Sequence, residues 1–214
     1  MNLIASVLHL DRAAIKALRI TDPYSLHRVV YSLYQDTRAT RTEPGQESSG
    51  ILYADQGGDF NGRRILMLAD RSPADCIDGQ YGKVQQKPIP AGFLDHATYR
   101  FKVIVNPVYR DNASRKLIPA RGRAAIEQWF CERAPKNWGF EPELPQLEVG
   151  SVQVLQFRDK HKQLITLAQA ELQGILTVTQ PDDFQRGFIQ GIGRGKAFGC
   201  GLLQIVPIVE NPFI

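Results

Sequence analysis

The hydrophobic pattern divides the chain into two series of short elements. Leu3-Ile4-Ala5-Ser6-Val7-Leu8-His9-Leu10 is an apolar run of strand length. Asp22-Pro23 then predicts a helix start, with Asp22 as N-cap and Pro23 at the first helical position, where its missing N–H costs nothing. The helix is predicted to run from Pro23 to about Thr37, and residues 38–49 are polar and turn-rich. Two strands, Ile51–Ala54 and Arg64–Ala69, flank a turn at Gln56–Gly62. A short helical segment after Ser72-Pro73 and a strand at Gly82–Gln86 complete the order β-α-β-β-α-β, that of a ferredoxin-like unit.

Lys87–Gly92 reads as a linker. Beyond it come a strand at Tyr99–Asn106, a helical pattern over 119–133 with Ile126, Trp129 and Phe130, and a loop from Pro135 to Pro145. Two strands near 151–157 and 164–178 flank a turn, a helix spans Pro181–Gln190, and a last strand spans Leu202–Val209. The element order gives an α+β chain of two units, 1–90 and 95–214, the second of similar order with a long basic hairpin. The duplication rests on element order, because the halves share no sequence repeat.

The first helix carries two stripes. At about 100° per residue, Leu26, Val29, Val30 and Leu33 fall on one face. Tyr24, His27, Arg28 and Tyr31 fall on the other, so His27 faces away from the predicted core. That set suits RNA cleavage by the RNA's own 2′-OH, which needs a base, an acid and a group to hold the phosphate. Histidine exchanges protons near neutral pH. Tyr24 can position or polarise the nucleophile, and Arg28 can hold phosphate oxygens bidentately.

Composition narrows the classes. With 43% hydrophobic residues the 214-residue chain can build a core. No window approaches about 18 uncharged apolar residues, so no membrane helix is predicted. The first ten residues lack the basic start of a signal peptide. Three scattered cysteines, Cys76, Cys131 and Cys200, make neither a disulfide framework nor a CxxC metal pair. A cytoplasmic protein with no metal site and no small-molecule cofactor is expected.

The net charge of +4 says less than its distribution. Arg110, Arg115 and Lys116 belong to a basic stretch running from Arg100 to Arg123. Arg158, Lys160 and Lys162 sit at the hairpin tip, and Arg194 and Lys196 lie among glycines. Three separated basic segments suit a polyanion that touches several parts of the fold.

The glycine-rich segment is the most specific. Gly191-Ile192-Gly193-Arg194-Gly195-Lys196-Ala197-Phe198-Gly199-Cys200-Gly201-Leu202-Leu203 precedes a strand near the C-terminus and lacks the acid of a dinucleotide fingerprint and the Ser/Thr of a Walker loop. It resembles the C-terminal glycine-rich loop of CRISPR repeat endoribonucleases, in particular the CasE branch of type I-E systems. Pro23-Tyr24-Ser25-Leu26-His27-Arg28 is similar to that family's Pro-Tyr-x-x-His-Arg helix. Phe101–Pro107 resembles its Phe-Arg-x-Arg-x-Asn-Pro strand, with Lys102 and Ile104 in place of the arginines, and Gln173–Val178 matches the strand before its last helix.

The resemblance implies that both units are ferredoxin-like (RRM-like) domains in tandem. It implies metal-independent cleavage of the repeat RNA at the 3′ base of its stem-loop. It implies His27 as acid or base and Tyr24 as its partner. The hairpin tip, Arg158 to Lys162, would enter the RNA major groove. Gly193, Arg194, Gly195 and Lys196 would approach phosphates through backbone N–H groups and added charge. It implies as partners the CRISPR repeat stem-loop and other Cascade subunits, with the adjacent backbone subunit among them. Some relatives carry a lysine five residues after the histidine, where Ser32 stands here. A non-cleaving RRM-like RNA-binding subunit is the alternative.

Overall fold

A computed structural model describes residues 3–35, 49–59 and 62–209. Strand β1 (Ile4–Leu10) buries Ser6, Leu8 and Leu10. A short helix α1 (Arg12–Ala17) follows, not anticipated from the sequence. Its start is fixed by Asp11, whose carboxylate accepts from the Ala14 N–H at 2.7 Å. Helix α2 (Pro23–Ser32) begins at Asp22 as expected. The Asp22 carboxylate accepts from the Ser25 N–H at 2.7 Å and the Ser25 hydroxyl accepts from the Asp22 N–H at 3.0 Å, a reciprocal cap. The helix ends at Ser32 with Leu33 as C-cap, short of the expected Thr37. Thr37 and most of the polar 38–49 stretch lie outside the described residues.

Strands β2 (Ile51–Asp59), β3 (Gly62–Ala69) and β4 (Lys83–Pro88) complete an antiparallel sheet in the order β2-β3-β1-β4, which is the ferredoxin-like order. The expected turn at Gln56–Gly62 is largely strand, with a register shift between Asp55 and Gly58. The expected helix after Pro73 is not formed. Residues 70–82 make bends, turns and one bridge between Ile77 and Tyr81. Only Pro73 and Ile77 of that stretch are buried, and Asp78 and Gly79 take positive φ, so the stretch lacks the apolar stripe that would hold a helix on the sheet.

The second sheet contains β5 (Thr98–Val105), β8 (Phe140–Pro142), β9 (Glu148–Arg158), β10 (Leu164–Val178) and β11 (Gln204–Pro207). Its order is β11-β5-β10-β8, and β9 pairs with the remainder of the β10 edge that β8 leaves open. Between β5 and helix α3 (Arg123–Trp138) stands a small hairpin of β6 (Val108–Arg110) and β7 (Leu117–Pro119). Helix α3 passes through Pro135, where a loop was expected. Phe130, Ala134 and Trp138 continue its buried stripe at four-residue spacing. The Trp138 ring lies 5.8 Å from Phe130 and 6.2 Å from Phe140. This burial outweighs the lost proline hydrogen bond, and Gly139, at φ +68°, ends the helix. Helix α4 (Pro181–Gln190) matches its expected span.

Two main cores result. One lies between the β1–β4 sheet and helices α1 and α2. The larger lies under α3 and α4 and also takes in Leu3, Leu52, Ala54 and Leu68 from the first sheet. The two sheets are thus joined by shared packing. A third, small cluster of Phe157, Leu167 and Cys200, with Tyr24 and Phe198 packed against it, marks where α2 meets the second sheet.

Candidate active site

Helix α2 buries Leu26, Val29 and Val30 against the first sheet, as its apolar stripe predicts. The opposite face is partly covered. His27 is half-buried, with the Tyr31 ring at 4.0 Å and the Tyr24 ring at 6.2 Å on its own helix. The Phe198 ring closes over it at 5.9 Å from the glycine loop. Arg28 is exposed. The Tyr31 hydroxyl shares a 2.8 Å hydrogen bond with the Ser49 hydroxyl. Ser32 is exposed and donates to the Val29 carbonyl at 2.9 Å.

The glycine loop reaches α2 because its backbone reverses twice. Gly195 and Gly199 take φ of +79° and +82° on either side of a one-turn 3-10 helix, Lys196–Phe198. Side chains rarely adopt that conformation. Two hydrogen bonds hold the turn. The Tyr53 hydroxyl of β2 donates to the Ala197 carbonyl at 2.9 Å, and the Gln169 amide of β10 donates to the Phe198 carbonyl at 3.0 Å. Burial pushes the Tyr53 hydroxyl pKa up and the Lys196 ammonium pKa down. Lys196 is therefore a partly desolvated cation on the turn that packs against α2.

The basic hairpin is anchored at the same point. Phe157, one residue before Arg158, packs edge-on against Phe198 at 4.8 Å. At the tip, the Asp159 carboxylate accepts from the His161 N–H at 2.8 Å and the Gln163 N–H at 2.9 Å. The Arg158 guanidinium donates to the Lys162 carbonyl at 2.7 Å. Lys160, His161 and Lys162 are left exposed on a defined turn. His27, Phe198 and Phe157 thus form a continuous aromatic line from α2 to the foot of the hairpin.

The structure joins Tyr24, His27, Phe198 and the hairpin foot, carries Lys196 on the turn that packs against α2, and leaves Arg28 and Arg194 exposed. It places Arg110, Arg115 and Lys116 elsewhere, on the exposed β6–β7 hairpin. That hairpin is tied to α3 by the Trp129 indole N–H, which donates to the Val108 carbonyl at 3.0 Å, while the far side of the Trp129 ring borders Gly193. Lys102 is engaged with Glu171 at 3.0 Å. The pair lines a cleft of about 480 Å³ that also touches Asp22, Tyr53, Gln169 and Phe198. Sequence reasoning missed Phe157 and Phe198, whose only signal is an aromatic beside each basic segment. Among the described residues no cluster of three or more His, Cys, Asp or Glu side chains is arranged to hold a metal ion.

The fold and the site define a tandem ferredoxin-like α+β protein with a histidine-centred site where helix, glycine loop and basic hairpin meet. The chain belongs to the CRISPR associated protein family, whose model matches residues 3–207. Its fold is that of the CasE-type structures. Thermus thermophilus Cse3, bound to an RNA representing a pre-cleavage complex, matches with a TM-score of 0.79 at 22% identity, covering 97% of this chain and 100% of that one. Cas6e from Escherichia coli K-12 matches with a TM-score of 0.61 at 19% identity, over 96% and 100% of the two chains. A chain of a CRISPR RNA-guided surveillance complex matches with a TM-score of 0.69 at 21% identity, over 96% and 100%. No protein of curated function matches the chain by sequence.

Proposed function

We propose that this protein is a CRISPR repeat endoribonuclease that binds the repeat stem-loop, cuts the precursor at the 3′ base of the stem and keeps the mature RNA. The observation that carries the reading is the enclosure of His27 between α2, the glycine loop and the foot of the basic hairpin, in a chain of this family. The relatives named above include one bound to a pre-cleavage RNA and one within a surveillance complex, which supports a repeat RNA and Cascade subunits as partners. The proposed domain division is 1–90 and 95–214, with α2 in the first and the hairpin and glycine loop in the second. A cytoplasmic setting suits its three free cysteines.

The chemistry needs no external nucleophile. The 2′-oxygen next to the scissile phosphate loses its proton and attacks phosphorus. The P–O5′ bond breaks and the 5′-oxygen takes up a proton, leaving a 5′-hydroxyl and a 2′,3′-cyclic phosphate, or a 3′-phosphate where water then opens the ring. His27 exchanges one of these protons and Tyr24 orients the reacting groups. Lys196 and Arg28 supply positive charge to the phosphate, with Lys196 strengthened by its partial desolvation. Lys160, Lys162 and Arg158 hold the stem, and Gly193, Arg194 and Gly195 contact its backbone. The protein incubated with its own repeat RNA in EDTA should cut once per molecule. His27→Ala should slow cutting by about 10²–10⁴-fold with binding retained. Cutting that is abolished by EDTA, or unaffected by His27→Ala, would falsify this mechanism.

A second reading is favoured by Ser32, whose hydroxyl is turned back onto Val29 and supplies no cation. On that reading the protein holds the hairpin without cutting it. Tight binding with no His27-dependent product would select it.

A further inference from the structure

In an antiparallel sheet, residues directly opposite one another project from the same face. His9 on β1 is opposite Arg64 on β3 and also opposite Lys83 on β4. The three side chains therefore form one row across three strands, with the histidine in the middle, and all three are exposed. Their face is turned away from α2, because Leu8 and Leu10, which alternate with His9, lie in the core beneath that helix.

Arg64 and Lys83 flank His9 two strand spacings apart, roughly 10 Å, which leaves room for a phosphate between the two cations. Among the described residues, neither Arg64 nor Lys83 has a carboxylate at ion-pairing distance. The row lines a polar hollow of about 700 Å³ rimmed by Gly57, Gly58, Gly62 and Gly82. Asp11 and Asp59 line the same hollow, and the Asp11 carboxylate is held by the Ala14 N–H. The hollow is continuous with the cleft beside Phe198, since Gln56, Gly57 and Arg63 line both. A polar path thus leads from the cleft beside Phe198 round the β2–β3 hairpin to the exposed end of this sheet face, whose other end, at Leu66 and Leu68, packs into the larger core. Strands β1, β3 and β4 contain no Phe, Tyr or Trp, so these strands offer charge for phosphates and, among the described residues, no platform for stacked bases.

We propose that the His9–Arg64–Lys83 row binds the phosphate backbone of single-stranded RNA, as a second contact for the strand that leaves the hairpin at the active site. This extends the RNA-cutting reading above. The test compares four probes: the minimal repeat hairpin, the same hairpin with a single-stranded flank on its 5′ side, the same hairpin with one on its 3′ side, and oligouridylate. The wild-type protein should bind one flanked hairpin about tenfold more tightly than the minimal one. In Arg64→Gln/Lys83→Gln that ratio should fall to near one, oligouridylate binding should weaken, and the salt slope for the flanked RNA should shrink by about 1–2. Arg64→Lys should keep most of the ratio, and a thermal melt shows that each variant is folded.

A wild-type protein indifferent to the flank, or a double variant that keeps the preference, overturns the proposal. Polyglutamate displacing the flank where oligouridylate does not would give the face to an acidic protein and also overturns it. A hairpin neither bound nor cut would sink the nuclease reading alone. Oligouridylate bound by the wild type and released by the double variant would then still sustain the row.

Discussion

His27 takes its position from rings on two different elements. Tyr24 and Tyr31 come with the helix, one turn to either side, and are legible from helical spacing. Phe198 comes from the far end of the chain, where the glycine pattern speaks only of phosphates. No local period links residues so distant, so the lid over the histidine has no signature in the sequence. Phe198 is a positioning residue, since it touches His27 and Phe157 and carries no group that reacts. Phe198→Ala should lower the single-turnover cutting rate by about tenfold to 10²-fold, because small misplacements of a catalytic group are costly. Hairpin affinity should change little, and Phe198→Tyr should restore the rate. An equal fall in affinity and rate would show that the ring serves binding instead.

Among the elements, α2 and α4 are the most legible, because an N-cap with proline or a clean proline start fixes a helix locally. The β6–β7 hairpin and α1 escape a sequence reading, being too short for a period to show. Helix α3 runs past the stop expected at Pro135, because the rule that proline ends a helix yields here to the burial of Trp138. The basic hairpin is legible as strands about a charged tip. What the sequence does not show is that Asp159 organises that tip, leaving Lys160 and Lys162 free of the carboxylate that sits between them and Arg158. Replacing both lysines by alanine should weaken hairpin binding and reduce its salt slope by about 0.9 for each phosphate no longer neutralised. An unchanged slope would move the stem to another surface, with the β6–β7 hairpin and its Arg110, Arg115 and Lys116 the next place to look.

At the scale of the molecule, several acidic groups are sealed where the two sheets meet or beneath α2. Burial pushes the Cys200 thiol up to about 12 from an ordinary 9.0, and the Tyr34 hydroxyl up to about 12 from 10.0. The Tyr53 hydroxyl is pushed up as well. In each case the folded state holds its proton longer than the unfolded state does. The associated stability is complete below about pH 8 and is lost as pH rises through the unfolded values of 9.0 and 10.0 towards 12, by about 1.4 kcal/mol per pH unit for each group inside its window. Urea unfolding midpoints should be level up to about pH 8 and fall steeply by about pH 11, and Cys200→Ala should remove the earliest part of the fall. A midpoint that does not move over this range would contradict the burial of these groups. The tandem fold itself is legible, because strand order follows from element order. The one missing helix falls in a stretch whose glycines and aspartates give it no apolar face.

The glycine loop is hydrogen-bonded to both sheets, to the first through Tyr53 on β2 and to the second through Gln169 on β10 and the Ile104 carbonyl on β5, which accepts from the Gly201 N–H at 2.7 Å. Neither half of the chain therefore holds the whole of the proposed active site. The histidine arrives with one half and its lid, cation and RNA grip with the other, and the lid is pinned in place only when both sheets are present. On the proposed mechanism chemistry is thereby made conditional on completed folding: a nascent or half-unfolded chain that still exposes the histidine helix keeps Arg28 but lacks the ring, the lysine and the hairpin that would hold the RNA against His27. For a protein whose proposed substrate is a transcript of the cell's own genome, such a coincidence requirement guards against indiscriminate cutting without any separate inhibitor.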